Sequence, residues 1–508
     1  MQRIAVGRGP LTEADVVAVA RGGAGVQLTS DALDAIAESR KTVEALAHDV
    51  EPHYGISTGF GALATKHIPA SQRATLQRSL IRSHAAGSGP EVEREVVRAM
   101  MLLRLSTLAT GRTGVRPETA SALAALLDAG ITPVVPEYGS LGCSGDLAPL
   151  AHVALALMGE GSVRDASGVL RHAAEVVTPI ELAEKEGLAL INGTDGMLGQ
   201  LLLAAHDLDL LLRTADVTAS MSVEALLGTD RVFAADLAAL RPQPGQAVAA
   251  ANMRALLAGS PIVASHEGPD CVYVQDAYSM RCAPQVAGAA RDTLAHARSV
   301  ASYELASAVD NPVVTPDGRV ESNGNFHGAP IAYVLDFLAI PVADVASMSE
   351  RRTDRMLDVA RSRGLPPFLA HDAGVDSGHM IAQYTQASIV AELKRLAAPA
   401  SVDSIPSSAM QEDHVSMGWS AARKLRRAVD GLRQVLAIEL LTAARALDLR
   451  APLLPSPATA AVVAALRARV DGPGPDRHLA PEIEAAVSFV GSGEAVGAAD
   501  AALAEPLG

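Results

Sequence analysis

The sequence predicts a mainly α-helical protein, built as a bundle of long helices with few short strands. Hydrophobic residues make up 49% of the 508 residues, whereas aromatic residues make up only 3%. A core of Ala, Leu and Val suits close-packed helices better than a β-sandwich. Apolar residues also recur at helical spacing over several segments of about 20 residues, each corresponding to roughly 30 Å of helix. Together these features favour a helical bundle.

The predicted helices follow one another along the chain. Thr12 and Asp15 are a capping pair for the first, and Ser30 is predicted to cap the second. Leu33 and Ile36 begin the apolar face of that second helix. Further helices are predicted over residues 92–110, 118–128, 196–215, 289–309, 329–348, 380–397 and 417–448.

Strand signals are few, and the clearest pair surrounds one turn. The runs 313–315 and 319–321 flank Pro316-Asp317-Gly318, which is typical of a β-hairpin. Because the sequence has no long linker and no repeat of fixed period, we expect a single unit over residues 1–508. Its predicted parts are a small N-terminal region at 1–200, a central long-helix bundle at 201–450 and a C-terminal helical appendage at 451–508.

Composition excludes several classes of protein. The formal net charge is −15, which argues against non-specific nucleic-acid binding. Three cysteines cannot make a disulfide framework, so we expect a reducing compartment. The N-terminus has no apolar signal core, and apolar stretches such as 147–158 fall short of the roughly 20 residues of a membrane helix. We therefore expect a cytoplasmic protein with no nucleic-acid and no membrane partner.

The common catalytic motifs are missing from the sequence. Gly142-Cys-Ser-Gly-Asp146 has Asp where a hydrolase elbow needs Gly. The sequence has no His-Glu-x-x-His zincin motif, no paired cysteine spacing for zinc and no Gly-x-x-x-x-Gly-Lys-Ser/Thr phosphate loop. We expect no metal site and no nucleotide cofactor.

A glycine-rich segment precedes the apolar run 147–158. Pro149 suits the first turn of a helix there, and Asp146 is predicted to cap it. The tripeptide Cys143-Ser144-Gly145 would then lie at the positive end of the helix dipole. Taken in isolation, the segment is better explained as a glycine-rich turn with a capping Asp.

Motifs along nearly the whole chain resemble the aromatic amino acid ammonia-lyases and aminomutases, which are carbon–nitrogen lyases and related enzymes. Gly139-Ser-Leu-Gly-Cys-Ser-Gly-Asp-Leu-Ala-Pro-Leu-Ala-His152 resembles the family signature. Further similar blocks follow the family order, at 54–61, 191–195, 275–285, 310–312, 324–328 and 411–417. The resemblance implies the ammonia-lyase type of long-helix bundle, and among the members it is greatest to the histidine-specific lyases.

The resemblance also implies a prosthetic group made from the chain itself. In the family an Ala-Ser-Gly tripeptide cyclises autocatalytically into 4-methylidene-imidazol-5-one (MIO), so that the serine becomes a dehydroalanine and no external cofactor is needed. Here Cys143-Ser144-Gly145 would form the ring. Cys143 replaces the usual Ala, and it should be tolerated because the first residue contributes only its backbone carbonyl. Gly145 leaves ring closure unobstructed.

Catalytic roles are likewise implied by the matching motifs. Ser144 would provide the electrophile that captures the substrate amine. Tyr54 is the candidate base for the β-proton, and Tyr278 would assist proton transfer at the amine. A phenol with a pKa near 10 needs a positive field to act near neutral pH. The alternative for Tyr54, read as a residue without context, is a core or loop tyrosine.

Substrate-binding roles are implied for four further residues. Arg281 would bind the substrate carboxylate in a bidentate pair, or else it forms a surface ion pair. Asn192 would hydrogen-bond the MIO carbonyl or that carboxylate, or else it is a turn residue. Gln275 would orient the tyrosines, and Phe326 would pack on the MIO or the substrate ring; the plainer alternatives are a solvated face for Gln275 and a core side chain for Phe326.

Two positions bear on the choice of substrate. Ser83-His84 resembles the histidine-specific enzymes, and His84 could hydrogen-bond an imidazole. Glu412 could pair with the imidazole or the amine, and a buried polar site rejects analogues that lack its partner. The implied reaction is elimination of ammonia from L-histidine to give trans-urocanate, the first step of histidine degradation. Alternatives are a tyrosine or phenylalanine ammonia-lyase, an aminomutase, or a catalytically silent helical scaffold.

Assembly is implied by the resemblance alone. The family forms homotetramers in which each active site combines loops from three chains. The long Ala-rich helices are compatible with close packing between chains.

Overall fold

A computed structural model describes residues 3–268, Cys271 and residues 274–508. The predicted mainly α-helical fold with few short strands is confirmed. The chain divides into two compact units. The first comprises Met1–His206, Arg298–Asp336 and Pro399–Arg423, and the second comprises Asp207–Ala297, Phe337–Ala398 and Lys424–Gly508. The single unit expected from the sequence stays a prediction.

The first unit contains eight complete helices in its N-terminal segment. They are α1 (Glu13–Ala20), α2 (Ser30–Ala47), α3 (Arg73–His84), α4 (Arg94–Ala109), α5 (Pro117–Asp128), α6 (Leu147–Leu157), α7 (Ala173–Val176) and α8 (Glu186–Ile191). Every residue of α4 from Val96 to Ala109 is buried, so α4 forms the centre of this part of the core. The guanidinium of Arg104 within it donates to backbone carbonyls, among them that of Val309 at 2.9 Å.

Four long helices contain four of the five chain positions at which the two units divide, and the fifth lies between Ala398 and Pro399. These helices are α9 (Asp195–Ala225), α14 (Ala283–Leu305), α15 (Ala329–Leu357) and α17 (Gly418–Asp448). The remaining helices belong to the second unit. They are α10 (Ala235–Ala239), α11 (Pro244–Leu257), α12 (Pro261–Ala264), α13 (Tyr278–Arg281), α16 (Met380–Leu396), α18 (Pro457–Arg467), α19 (Ala480–Gly491) and α20 (Glu494–Asp500).

The strands are short and form small separate sheets. Parallel β1 (Arg3–Val6) and β2 (Gly25–Leu28) pair, and antiparallel β3 (Ser88–Glu91) pairs with β5 (Pro136–Tyr138). A three-stranded sheet has the order β4 (Thr132–Pro133), β6 (Ser162–Arg164), β7 (Leu170–His172). Antiparallel β8 (Val313–Val314) and β9 (Val320–Glu321) confirm the predicted hairpin.

The helix caps differ in part from the sequence prediction. Thr12 and Asp15 form the predicted capping box, in which Asp15 N donates to Thr12 Oγ1 at 3.1 Å. The prediction for Ser30 is wrong, because α2 begins at Ser30 and Thr29 occupies the cap position. Asp146 does precede α6, but its side chain makes no bond to that helix. It accepts instead from the backbone of Met197 in α9, a contact that a local pattern cannot reveal.

One described helix, α15, is long and apolar enough to cross a membrane by length and composition. The apolar stretch 147–158 named from the sequence forms the shorter helix α6. Yet 61% of the most apolar window of α15 is buried inside the fold, which is also the pattern of a core helix.

Candidate active site

The tripeptide Cys143-Ser144-Gly145 lies in the loop between β5 and α6, pressed against the segment that joins α8 to α9. Gly145 pairs with Gly193 in an isolated β-bridge, and Asp146 N donates to Gly193 O at 2.7 Å. Gly145 has φ +77°, and a Cβ there would lie 2.0 Å from Gly193 O. Since no side chain fits such an approach, this position requires glycine.

Three helices begin close to the tripeptide in sequence or in space. The first, α6, begins two residues after Gly145, and α9 begins two residues after Gly193. The segment before α17 is held to the same loop, since Met417 N donates to Leu141 O at 2.9 Å and Ser416 Oγ donates to Gly142 O at 2.8 Å. Helix N-termini carry partial positive charge, so this arrangement stabilises negative charge that develops at the tripeptide.

Asp146 is a buried carboxyl group directly behind the tripeptide. Burial raises its pKa to about 7, and nearby Asp195 adds to the increase. Hydrogen bonds from Met197 N at 2.9 Å and from Ser140 Oγ at 2.9 Å act in the opposite direction. The carboxyl therefore ties the tripeptide loop to the first turn of α9.

A cavity of about 420 Å³ opens over the tripeptide and lies wholly within the first unit. Tyr54, Cys143, Ser144, Phe326 and Glu412 all line it, so the structure brings together five of the residues predicted from the sequence. The remaining lining residues are Gly61, Ala64, Asn311, Ser322, Asn323, His327, Gln411, Asp413 and His414. A larger surface groove of about 770 Å³ elsewhere in the first unit contains none of the predicted residues.

Tyr54 presents its phenol to this cavity from a turn between α2 and α3. Its Oη accepts from Gly61 N at 3.4 Å, and its ring meets Phe60 edge-on with centroids 6.5 Å apart. Burial raises the pKa of the phenol, and the carboxylates of Glu412 and Asp310 raise it further. The Gly61 N–H opposes the increase because it stabilises the phenolate.

Cys143 and Glu412 are neighbours in the lining of the cavity. Burial raises the pKa of the Cys143 thiol to about 12, and the neighbouring Glu412 carboxylate contributes to the increase. Glu412 Oε2 accepts from Ser407 Oγ at 2.9 Å. Cys143 is thus a neutral thiol at physiological pH.

Asn192 ends α8 and lies under the cavity. Its Nδ2 donates to Asn311 O at 2.9 Å and to Asp310 Oδ1 at 3.5 Å. Its Oδ1 is buried and has no hydrogen-bond partner among the described residues. The open atom of Asn192 is therefore an acceptor.

The sequence reasoning missed Lys185. Its ammonium forms a fully buried ion pair with Asp310, with 2.5 Å between Nζ and Oδ2. Asp310 belongs to a block noted in the sequence, but Lys185 lies 125 positions away in Glu184-Lys185-Glu186, which is indistinguishable from a surface charge run. No local signal could have identified it.

His84 is the last residue of α3, and it does not line the cavity. Its Nδ1 is 2.9 Å from Leu80 O. Burial lowers the pKa of the imidazole, whereas the Leu80 carbonyl and the charge of Glu412 oppose the decrease. His84 is therefore close enough to Glu412 for an electrostatic interaction.

Gln275, Tyr278 and Arg281 belong to the second unit and do not line the cavity. The guanidinium carbon of Arg281 lies 4.7 Å from the centroid of the Tyr278 ring, which is cation–π geometry. The Tyr278 side chain is nonetheless 69% exposed. Among the described residues no group of three or more His, Cys, Asp or Glu side chains is arranged to hold a metal ion.

The fold and the cavity define a lyase-type helical protein, and comparison with known proteins gives the family. The profile of the aromatic amino acid lyase family matches residues 11–468. The chain is 65% identical to the histidine ammonia-lyase of Streptomyces avermitilis over 506 residues, 98% of this chain and 99% of that protein. The chain belongs to the aromatic amino acid lyase family, as its motifs predicted.

Solved structures give the same result. The tyrosine aminomutase of Streptomyces globisporus matches with a TM-score of 0.94 at 38% identity, and each chain is covered completely. The histidine ammonia-lyase of Trypanosoma cruzi matches with a TM-score of 0.91 at 37% identity, covering 99% of this chain and 96% of that one. The backbone is thus shared by lyases and aminomutases, so fold alone does not determine which reaction is catalysed.

Proposed function

We propose that this chain eliminates ammonia from L-histidine to give trans-urocanate, the first step of histidine degradation. The observation that carries the proposal is the cavity in which Ser144, Tyr54 and Glu412 meet at converging helix N-termini. The 65% identity of the chain to a histidine ammonia-lyase favours L-histidine over L-tyrosine and L-phenylalanine as the substrate.

The residues at the tripeptide fit the MIO group. Gly145 has the conformation and the close backbone approach that only glycine allows, and Ser144 faces the cavity. Cys143 contributes its carbonyl, and its neutral thiol leaves the charge of the site unchanged. When formed, the group supplies an electrophilic carbon at position 144 that holds the substrate amine and improves it as a leaving group.

Tyr54 is the proposed base that takes the β-proton at its Oη. The phenol is the acidic group of Tyr, so it must lose its own proton first, and burial makes that loss harder. The Gly61 N–H donates to the same oxygen and stabilises the phenolate. The rate should consequently rise with pH as the phenol ionises.

The proposal assigns substrate contacts to five further residues. Phe326 packs on the substrate ring. Because Asn192 Nδ2 already donates to Asn311 O, its open Oδ1 can only accept, so its partner in the site is an N–H of the substrate rather than the carboxylate or the MIO carbonyl. Arg281 binds the carboxylate, Tyr278 assists proton transfer at the amine, and Gln275 orients the tyrosines. The exposure of Tyr278 supports a role in the site of a neighbouring chain, which a homotetramer with shared active sites would provide.

Specificity for an imidazole is assigned to Glu412 and His84. Glu412 lines the cavity and is held by Ser407, so it can accept from a ring N–H. His84 could itself hydrogen-bond the substrate imidazole, and the charge of Glu412 acts on it. The enzyme is proposed to be cytoplasmic, consistent with its having only three cysteines, too few for a disulfide framework.

Turnover of L-histidine, L-tyrosine and L-phenylalanine tests the substrate assignment. The purified protein should form urocanate at least about a hundredfold faster than it forms either cinnamate product, because a site built for a polar N–H discriminates strongly. Release of β-amino acids would indicate an aminomutase. Preference for tyrosine or phenylalanine would overturn the proposal. Intact mass tests the prosthetic group, since a mature chain lacks the mass of two waters.

A further inference from the structure

The ammonium of Lys185 is buried beneath the turn that carries Tyr54. The side chains of Lys185 and Asp310 are both 0% exposed. Lys185 also has φ +75°, in the left-handed region that non-glycine residues rarely adopt. A buried ion pair adds little stability, because the cost of desolvation offsets the attraction. A strained, buried pair next to a cavity therefore points to function.

The stem of Lys185 supports the backbone next to Tyr54. Gly55 has φ +76°, and a Cβ on it would lie 3.5 Å from Cδ of Lys185 and 3.1 Å from Cδ of Pro312. The turn that carries the phenol thus rests on the lysine stem and on the residue that follows Asn311. A change in the Lys185–Asp310 pair acts on Tyr54 through packing as well as charge.

Asp310 links this ion pair to Asn192. While Oδ2 faces the ammonium, Oδ1 accepts from Asn311 N at 2.8 Å and from Asn192 Nδ2 at 3.5 Å. The Nδ2 of Asn192 is thereby turned toward Asp310 and Asn311, and its Oδ1 stays open. The Asp310 carboxylate therefore acts both on the amide of Asn192 and on the phenol of Tyr54.

Two carboxylates, Glu412 and Asp310, oppose ionisation of the Tyr54 phenol, and the cation paired with Asp310 is Lys185. Burial lowers the pKa of the Lys185 ammonium, Asp310 opposes that decrease, and Arg104 adds to it. The other titratable groups lining the cavity are Cys143, Asp413, His327 and His414.

We propose that Lys185 is a positioning residue for the elimination, whose ammonium neutralises Asp310 so that Tyr54 can ionise and Asn192 keeps its acceptor open. The inference rests on the proposed function in assigning Tyr54 as the base. Its electrostatic part concerns the phenol alone and holds for any substrate.

The test is the ionisation of Tyr54 in the full-length protein without substrate. Tyrosinate absorbance is recorded for each protein and subtracted from that of the same protein carrying Tyr54→Phe. Lys185→Met removes the charge and keeps the stem, and Asp310→Asn removes the opposite charge. At the pH where Tyr54 of the wild type is half ionised, it should be about one tenth ionised in Lys185→Met and about nine tenths ionised in Asp310→Asn.

Two further variants keep the test decisive. Lys41→Met removes an exposed lysine that pairs with Glu38 at 2.6 Å, and it should leave Tyr54 half ionised. The double variant Lys185→Met/Asp310→Asn is uncharged, so it should fold even where Lys185→Met fails, and its Tyr54 should again be about half ionised. Single variants that shift in the same direction, or not at all, would overturn the inference. So would a double variant that matches Asp310→Asn.

The same proteins separate this inference from the proposed function. A wild type that forms no urocanate from L-histidine would reject the proposed function, while the titration still decides the role of Lys185. With an active wild type, the ascending limb of kcat/KM against pH should move to higher pH in Lys185→Met. A purely structural role would lower the rate equally at every pH.

Discussion

Two buried charge clusters, one in each unit, differ in how fully their polar atoms are hydrogen-bonded. In the second unit, Glu439 accepts from Arg352 Nε at 2.5 Å and Nη2 at 2.9 Å, and also from Thr218 and Ser222. In the first unit, Lys185 and Asp310 are equally buried, but Asn192 next to them leaves an acceptor open.

The difference lies in whether each cluster contains a polar atom without a hydrogen-bond partner among the described residues. Both Glu439 oxygens receive two hydrogen bonds, so this network satisfies its own charges and joins the helices of its unit. The cluster in the first unit lies next to a cavity, with a left-handed lysine and an unused acceptor. A closed network of this kind holds the helices of its own unit in place, whereas the open one leaves an acceptor for another molecule.

The largest effect on activity is expected at Gly145, where the neighbouring backbone leaves no space for a side chain. Gly145→Ala would place its Cβ 2.0 Å from Gly193 O, so the tripeptide cannot close its ring. Urocanate formation should fall by about a thousandfold or more, as for loss of a catalytic group, and the intact mass should retain two waters.

Gly168→Ala is the matched control, because Gly168 has φ +83° but no atom within 4 Å of a Cβ. It should keep the mature mass and full activity. If Gly145→Ala also matured and turned over L-histidine normally, the close approach to Gly193 would have no role in ring formation.

The closed cluster of the second unit should respond through stability. Arg352→Met leaves Glu439 buried without its cation and should lower the free energy of unfolding by about 3–5 kcal/mol. Arg395→Met, which removes an exposed pair with Glu392, should cost at most about 1 kcal/mol. Urea denaturation measures both. Equal effects of the two variants would contradict the distinction between buried and exposed pairs.

Asp146 should make the stability of the site depend on pH. Its pKa rises from 3.8 in the unfolded chain to about 7 in the folded one, so the folded protein binds the extra proton between these values. Stability therefore falls as pH rises from about 4 to about 7 and is level above that range.

Asp146→Asn removes this dependence. Between about pH 5 and pH 8 the wild type should lose on the order of a few kcal/mol relative to the variant, measured by urea denaturation at each pH. A constant difference between the two proteins would show that Asp146 is ionised throughout.

The smallest effect is expected at Cys143. Its thiol is neutral because its pKa is about 12, and the ring needs only its carbonyl. Cys143→Ala should give the mature mass, kcat/KM within about threefold of the wild type, and a loss of about 1 kcal/mol for the missing sulfur. A displaced pH profile would instead assign the thiol a part in setting the charge of Glu412.

The fold could be predicted largely from local pattern, because long apolar periodicity specifies helices such as α9 and α17 independently of what they contact. Motif resemblance also identified Tyr54, Ser144 and Glu412, which the structure brings to one cavity. Contacts between residues that are distant in sequence could not be predicted from local pattern. Asp146 binds α9 rather than its own helix, and Lys185 meets Asp310 across 125 positions.

Urocanate formation from L-histidine by the wild type and by Ser144→Ala is the most direct test of the central claim. The wild type should show a steady increase in urocanate absorbance. The rate of the variant should be lower by about a thousandfold or more, and the variant should fold and assemble normally because Ser144 is only partly buried. Comparable rates would show that the electrophile is not at position 144, and an inactive wild type would reject the proposed reaction.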